Sequence, residues 1–111
     1  MTVLFFKVED VLNYEGTEAV APDGSRGIAN DKVKYLRDEL NKLGPGAQLV
    51  LYGDWAKDWN FDDEKCTANG KYLIKKLDRK GLHIMDKADY DQNPIETYLS
   101  THHVDKHKVL A

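Results

Sequence analysis

The sequence has few of the features that mark secreted, membrane-spanning or disulfide-stabilised proteins. Its 111 residues include one cysteine, Cys66, so no disulfide can form within the chain. The apolar run at residues 1–6 is ended by Lys7 and is too short for a signal peptide. No apolar run approaches the length that spans a membrane. These absences predict a cytoplasmic protein with no membrane partner.

The charge pattern also lacks a block of like charges. The formal net charge is −3, and the charged residues are spread along the chain. General nucleic-acid binding depends on clustered lysine and arginine, so we expect none here. The composition, 41% hydrophobic and 32% charged, is that of an ordinary folded protein. The length suits one domain, residues 1–111.

Apolar runs alternate with helical patterns along the chain. Strands are predicted at residues 2–8, 47–52, 82–85 and 106–111. Helices are predicted at residues 30–43, at about 69–79 and from Pro94 onward, with Asn30 and Asn93 as N-caps. This alternation predicts an α/β fold: a three-layer, Rossmann-like domain with a parallel sheet of about four strands and right-handed crossovers.

Open parallel sheets bind ligands beyond the carboxyl ends of their strands. Four junctions therefore delimit the predicted site: residues 7–13, residues 52–59, residues 86–91 and the chain end after the fourth strand. The first junction opens a long segment, residues 9–27, and loops of that length often serve as lids or binding loops. We therefore expect the functional site to lie just after the first strand.

Two motifs carry a resemblance to a known family. LFFKVEDVLN resembles the opening motif of the haloacid dehalogenase superfamily, an apolar strand followed by Asp-x-Asp-Gly-Val-Leu and often Asn. LVLYGDW is similar to the second motif of a bacterial branch that includes phosphatase-like domains associated with RNA-repair proteins. SRGIANDKVKYL and KCTANGKYLIKKL stand where that branch would place them. The resemblance implies a haloacid dehalogenase-like fold, truncated at its C-terminus because the final acidic motif has no counterpart.

The diagnostic residues of that family are replaced in this chain. Lys7 stands at the position of the nucleophilic aspartate, and Glu9 stands at that of the general acid/base. Asp10 replaces the usual glycine, and Tyr52 replaces the serine or threonine that binds the phosphoryl group. Family-style phosphoryl transfer requires the nucleophile and a magnesium ion, so the resemblance implies a domain that has lost this reaction.

The resemblance and the junctions together supply a set of candidate ligand-binding residues. The basic residue of the last family motif has no firm counterpart, and Lys87 is the nearest substitute. We expect ligand contacts from Asp10, Asn13, Tyr52, Gly53, Asp54 and Lys87. Lys7 has three readings: it pairs with a nearby carboxylate (Glu9, Asp10 or Asp54), it binds an anion such as phosphate, or it is a Schiff-base nucleophile.

Two functions follow as hypotheses. In the first, the chain is an inactive binding or interaction module that takes a phosphate-bearing small ligand and needs no cofactor or metal. In the second, it is an atypical magnesium-dependent phosphohydrolase with Glu9 as acid/base. Homo-oligomer formation through exposed edge strands stays open.

Other chemistry-bearing residues are assigned structural roles. His102, His103 and His107 lack a standard zinc spacing and are interpreted as surface residues near a helix end. Trp55 and Trp59, four residues apart, are interpreted as packing residues. Cys66 has no flanking feature that would lower the pKa of its thiol, so it is read as unreactive.

Overall fold

The computed structural model describes residues 1–89 and 92–111. Its strands are β1 (Thr2–Phe6), β2 (Gln48–Leu51), β3 (Ile84–Lys87) and β4 (Lys106–Val109). Its α-helices are α1 (Asn30–Lys42), α2 (Ala68–Asp78) and α3 (Pro94–Thr101), and short 3-10 helices cover Asp54–Asp58 and Asp63–Lys65. Across the described residues, the helices are all too short or too polar to cross a bilayer.

The four strands form one parallel sheet in the order β3-β2-β1-β4. Side chains from α1 and α2 pack with one face of this sheet, and side chains from α3 pack with the other. The predicted class is therefore confirmed: an α/β protein with a parallel four-stranded sheet between helical layers, compatible with a three-layer Rossmann-like fold.

The central strand β1 is buried on both faces, as its continuous apolar sequence predicts. Leu4 and Phe6 join the core beneath α1 and α2, whereas Val3 and Phe5 join the smaller core beneath α3. In that smaller core, the rings of Phe5 and Tyr98 meet edge to face with their centroids 5.6 Å apart. Each such fully buried apolar side chain contributes about 1.5–3 kcal/mol, so β1 is the main anchor of the domain.

The strand order places the predicted site at a topological switch point. The chain steps outward from β1 to β2 to β3, and then returns through α3 to β4 on the other side of β1. Helix α1, which follows β1, and helix α3, which precedes β4, lie on opposite sheet faces, and the carboxyl ends of β1 and β4 meet at this switch point, where such folds bind ligands. The loop after β1 lies at this switch point.

The first strand is shorter than predicted. It ends at Phe6, so Lys7 and Val8 lie just beyond it and not inside it. The chain turns there because the Leu12 N–H donates to the Val8 carbonyl (2.9 Å), closing a helical turn. Lys7 is therefore the first residue of the loop, where a charge is easier to hydrate than inside a strand.

The third strand is shifted toward the C-terminus. The sequence predicted residues 82–85, but β3 is Ile84–Lys87. The Leu82 N–H donates to the Leu77 carbonyl (3.0 Å), so Leu82 closes the end of α2 before the strand starts. Of the predicted third junction at residues 86–91, Asp86 and Lys87 thus belong to β3, and residues 90 and 91 lie outside the described residues. The fourth strand ends at Val109 and not at residue 111.

Of the two predicted N-caps, Asn93 occupies the predicted position and Asn30 does not. Helix α1 begins at Asn30 itself, and Ala29 occupies the cap position without a side-chain hydrogen bond. The Asn30 Oδ1 atom instead accepts a hydrogen bond from Lys76 Nζ (3.2 Å), which links α1 to α2. Asn93 does occupy the cap of α3, but its backbone is left-handed (φ 46°) and its side chain makes no capping bond. Pro94 in the first turn is confirmed.

Candidate functional site

Five predicted residues come together at the carboxyl ends of β1 and β2, a group termed the mouth: Lys7, Glu9, Tyr52, Gly53 and Asp54. Gly53 has a positive φ of 88°, and a Cβ atom there would lie 2.9 Å from Glu9 Oε2 and 3.1 Å from Lys7 Cβ. Only glycine fits this close approach without strain. The backbone at Gly53 is therefore held against both side chains, and the mouth is a compact site.

Lys7 is half-buried, and its ammonium has no close partner. No ion pair within 4 Å and no hydrogen bond joins it to any residue from 1–89 or 92–111. The expectation of a close pair with Glu9, Asp10 or Asp54 is therefore wrong, although Lys7 still acts on Glu9 through space. A partly desolvated cation without a partner is unfavourable unless water or a ligand completes its hydrogen bonds.

Glu9 is the second incompletely satisfied group. Its Oε1 atom is fully buried and has no hydrogen-bond partner in the described structure. Burial is the largest influence and raises the pKa of Glu9, and the negative charge of Asp54 acts in the same direction. The Glu9 and Asp54 backbone N–H groups and the Lys7 charge oppose this rise only in part, so the pKa stays above its ordinary value of 4.5. Burial and the Asp54 charge thus favour the protonated form of Glu9 more than in a fully hydrated glutamate.

We expect Glu9→Gln to stabilise the fold at neutral pH. Because the pKa of Glu9 is raised in the folded state, protonation of Glu9 stabilises the fold. This stabilisation is fully present below pH 4.5 and is lost as the pH rises through the pKa of the folded state. Glutamine cannot ionise and avoids this loss. The thermal midpoint of Glu9→Gln should exceed that of the parent by a few degrees at pH 7, and the gap should close by about pH 4. Exposed Glu64→Gln is the control, and an equal gain there would contradict the assignment.

The Tyr52 side chain spans the switch point between β1 and β4 and is fixed there by a hydrogen bond. Its hydroxyl donates to the Leu110 carbonyl (2.7 Å), which links the end of β2 to the chain after β4. Burial, with a smaller effect of Glu9, raises the pKa of Tyr52, so the hydroxyl stays protonated. The only proton of this hydroxyl is already donated, so Tyr52 shapes the mouth but has no hydrogen left for a ligand.

Asp10 and Asn13 shape the loop beside the mouth. Asp10 is exposed and left-handed (φ 64°), and its N–H donates to Asn13 Oδ1 (3.0 Å). The buried Asn13 side chain also donates to the Arg26 carbonyl (3.5 Å). Arg26 in turn forms an antiparallel bridge with Val20. Asn13 therefore links the turn after β1 to this hairpin, and its amide is engaged in structure.

Lys87 is fully engaged elsewhere. Its ammonium donates to the Ala56 and Trp59 carbonyls (3.1 and 2.8 Å) and lies 3.3 Å from Asp89 Oδ2. Two of the three ammonium protons are donated to these carbonyls, and the charge is paired with Asp89. Lys87 thus closes the end of the 3-10 helix Asp54–Asp58, and the structure does not bring it to the mouth with a free proton.

An open depression adjoins the mouth. It has a volume of about 370 Å³ and is lined by Gly53, Asp54, Ala56, Lys57, Ala88, Asp89 and Pro94. All lining residues except Pro94 fall within the predicted junctions 52–59 and 86–91. Pro94 is the first residue of α3, and no local sequence pattern places it at this depression. The depression gives a ligand held at the mouth room to extend.

The residues present do not fit a magnesium ion. Among residues 1–89 and 92–111, no three histidine, cysteine, aspartate or glutamate side chains are grouped so that they could hold a metal. The Asp54 carboxylate is close enough to Glu9 to raise the pKa of Glu9. The positive charge of Lys7 also acts on Glu9, however, and it would repel a divalent cation. The proton affinity of Glu9 also competes with metal binding.

The three histidines near the C-terminus each contact different neighbours. The His102 ring stacks on Tyr98 with its centroid 3.8 Å away, and its Nε2 lies 3.6 Å from Asp86. His103 lies 3.1 Å from Asp105, and His107 meets Phe5 edge to face.

The tryptophans and the cysteine lie in the core. Trp55 belongs to the predicted helical turn, a 3-10 helix, and Trp59 follows it; both are buried, which supports the packing interpretation. Cys66 is also buried, and its Sγ accepts from the Asn60 N–H (3.2 Å).

Comparisons of this chain with family models, with curated proteins and with solved structures give no match.

Proposed function

We propose that this chain is a haloacid dehalogenase-like domain that no longer transfers phosphoryl groups and that binds a small phosphate-bearing ligand at the mouth. One observation carries the proposal. The Lys7 ammonium has no hydrogen bond or ion pair within the described residues, and beside it the Glu9 Oε1 atom is buried without a partner. Buried polar atoms are normally hydrogen-bonded, so the unpartnered Glu9 Oε1 atom, with the half-buried Lys7 ammonium acting on the same side chain, favours a ligand that completes both groups.

An anionic oxygen group suits both side chains. The ammonium of Lys7 donates charge-assisted hydrogen bonds to a phosphate oxygen, and the ligand's charge offsets the burial of the cation. Glu9, when it is protonated, donates a further hydrogen bond to the same group, and its raised pKa extends the pH range in which this form is present. The depression beside Gly53 and Asp54 accommodates the remainder of the ligand.

The same residues argue against the family's reaction. Lysine at the nucleophile position cannot form an aspartyl-phosphate, and the Tyr52 hydroxyl is already bonded to Leu110. The described residues offer no metal-binding group to compensate the charge of a transferring phosphoryl. Binding without turnover is the function that remains.

The backbone supports the proposed lineage. Asp10 has a φ of 64°, a left-handed conformation that favours glycine, and it stands where the resembled family carries glycine. Lys7 directly follows the buried strand β1, which lies beside the switch point of the sheet. A left-handed backbone at the position of the family's glycine, directly after a buried strand, supports the proposed lineage.

Hydrolysis of p-nitrophenyl phosphate with magnesium tests the lineage. The parent should show no turnover above buffer. Lys7→Asp restores a carboxylate at the nucleophile position, and we expect magnesium-dependent hydrolysis at least tenfold above Lys7→Asn, which has the same shape without the charge. Equal rates for the two variants would contradict the lineage. Parental turnover that Glu9→Gln abolishes would instead establish the atypical phosphohydrolase.

A further inference from the structure

A groove of about 320 Å³ separates α2 from the loop that follows the 3-10 helix Asp54–Asp58. Its apolar lining comes from Trp59, Phe61, Ile74, Leu82 and Ile84. Ile74 lies on α2, and Ile84 starts the edge strand β3. The groove thus opens beside a sheet edge that pairs with no strand in the described residues.

Phe61 projects from the lip of this groove. Phe61 is 68% exposed, more than any other large apolar residue among residues 1–89 and 92–111. The ring nevertheless packs edge to face against buried Trp59, with centroids 4.9 Å apart. The preceding residue is fixed by two bonds to Cys66, since the Asn60 N–H donates to Sγ (3.2 Å) and Sγ donates to the Asn60 carbonyl (3.3 Å). Phe61 is therefore an apolar projection on a loop that is bonded in place.

Charges of opposite sign are exposed on the two elements that border the groove, although Asp78 of α2, which lies 3.2 Å from His83 Nδ1, also lines it. On the outer face of α2, Lys71, Lys75 and Arg79 are exposed at four-residue spacing, which forms a basic stripe. On the loop side, the exposed residues Asp62, Asp63 and Glu64 form an acidic rim, which Lys65 follows. No ion pair within 4 Å involves either set in the described part of the chain. The charges of both sets are therefore free for a partner.

We propose that this surface docks a second copy of the chain in a two-fold symmetric dimer. A two-fold interface uses the same patch on both subunits, so the patch must be complementary to itself. This patch contains both a projection and a groove, and both a basic stripe and an acidic rim. In the dimer, Phe61 of each protomer enters the groove of the other, and each acidic rim meets the opposite basic stripe.

The acidic rim argues against other occupants. A nucleic acid or an anionic membrane would be attracted by Lys71 and Lys75 but repelled by Asp62, Asp63 and Glu64 on the facing lip. A second copy satisfies both sets of charges. We expect a weak dimer, with a dissociation constant on the order of 10–100 μM.

Sedimentation equilibrium over a concentration series tests the proposal. The parent should shift from monomer to dimer between low micromolar and millimolar concentrations. Phe61→Ser should weaken association at least tenfold, because each dimer loses two buried aromatic anchors. Val20→Ser is the matched control, since Val20 is also exposed (64%) but lies on the hairpin that it forms with Arg26. Unchanged thermal midpoints in both variants would show that the fold is intact.

Charge-reversal variants give the strictest test of this dimer. Lys71→Glu/Lys75→Glu makes the whole patch acidic, and Asp63→Lys/Glu64→Lys makes it basic, so each variant alone should be monomeric at concentrations where the parent is dimeric. An equimolar mixture of the two should form a heterodimer. A parent that stays monomeric at millimolar concentration, a dimer that survives Phe61→Ser, or a mixture that fails to associate would each overturn the proposal. Binding of an RNA oligonucleotide or an anionic vesicle that Lys71→Glu/Lys75→Glu abolishes, without self-association, would assign the surface to that partner instead.

Discussion

Lys7→Met is expected to weaken the binding of inorganic phosphate at least tenfold. Methionine keeps most of the length of the side chain and removes only the charge, so the mouth should retain its shape. A hydrogen bond to a charged group contributes about 1.5–3 kcal/mol, and each 1.4 kcal/mol is a factor of ten in affinity. For the parent we expect a dissociation constant of about 1–10 mM, measured by calorimetry or by amide chemical shifts.

The same variant should be at least as stable as the parent. Lys7 is half-buried and forms no ion pair or hydrogen bond with the described residues, so its removal breaks no bond within the fold. Lys34→Met is the control, because Lys34 is exposed on α1 and should affect neither binding nor stability. Phosphate affinity that is equal in Lys7→Met and the parent would show that the ammonium is not a ligand contact.

Gly70→Ala is expected to cause the largest loss of stability of the substitutions considered. Gly70 lies within α2, where helix propensity alone would favour alanine by about 1 kcal/mol. A Cβ atom there would lie 2.7 Å from the Asp58 carbonyl carbon and closer still to its oxygen. This carbonyl accepts the Thr67 N–H (3.0 Å) at the cap of α2, so it cannot move without breaking that bond. We expect destabilisation on the order of 2–4 kcal/mol.

Thermal and urea unfolding measure the effect of Gly70→Ala. For a domain of this size, the expected loss lowers the midpoint by roughly 10 °C or more. Gly44→Ala is the comparison, because Gly44 has a positive φ (94°) but a Cβ there would meet nothing within 4 Å. Its cost should be limited to backbone strain of about 1–2 kcal/mol. A Gly70→Ala protein as stable as the parent would show that α2 and the Asp58 segment are not in close contact.

Much of the fold follows from local sequence patterns. The apolar run of β1 and the helical stripe of α1 each specify an element, and Gly44 and Gly81 follow the helix ends with the positive φ that terminating turns require. Alternation of these elements leads to a parallel sheet, which in turn brings Lys7, Glu9 and Gly53 together. The location of the mouth was therefore predictable from the topology of the chain.

Boundaries and side-chain partners were less predictable because they depend on distant parts of the chain. LHIM has the composition of a strand, but Leu82 is taken up by the turn that ends α2, and the strand continues through Asp86. Lys87 is a plausible ligand contact by position, yet its acceptors lie 31 and 28 residues earlier in the chain. No local sequence pattern indicates these contacts of Lys87.

The ion-pair contacts of the mouth could also be established only from the structure. Lysine followed closely by Glu9 and Asp10 in the sequence suggests an ion pair, whereas in the fold its ammonium stays more than 4 Å from the carboxylates of Glu9 and Asp54. This separation converts a predicted internal pair into two groups that are available to a ligand.

In the proposed function, the mouth binds a phosphate group without transferring it. Phosphorus-31 NMR of the parent with a simple phosphate monoester and magnesium tests both parts at once. We expect the ester resonance to shift saturably as protein is added, the shift to be lost in Lys7→Met, and no inorganic phosphate to form. Inorganic phosphate that forms in proportion to protein, or an ester resonance that does not respond to the protein, would contradict the account.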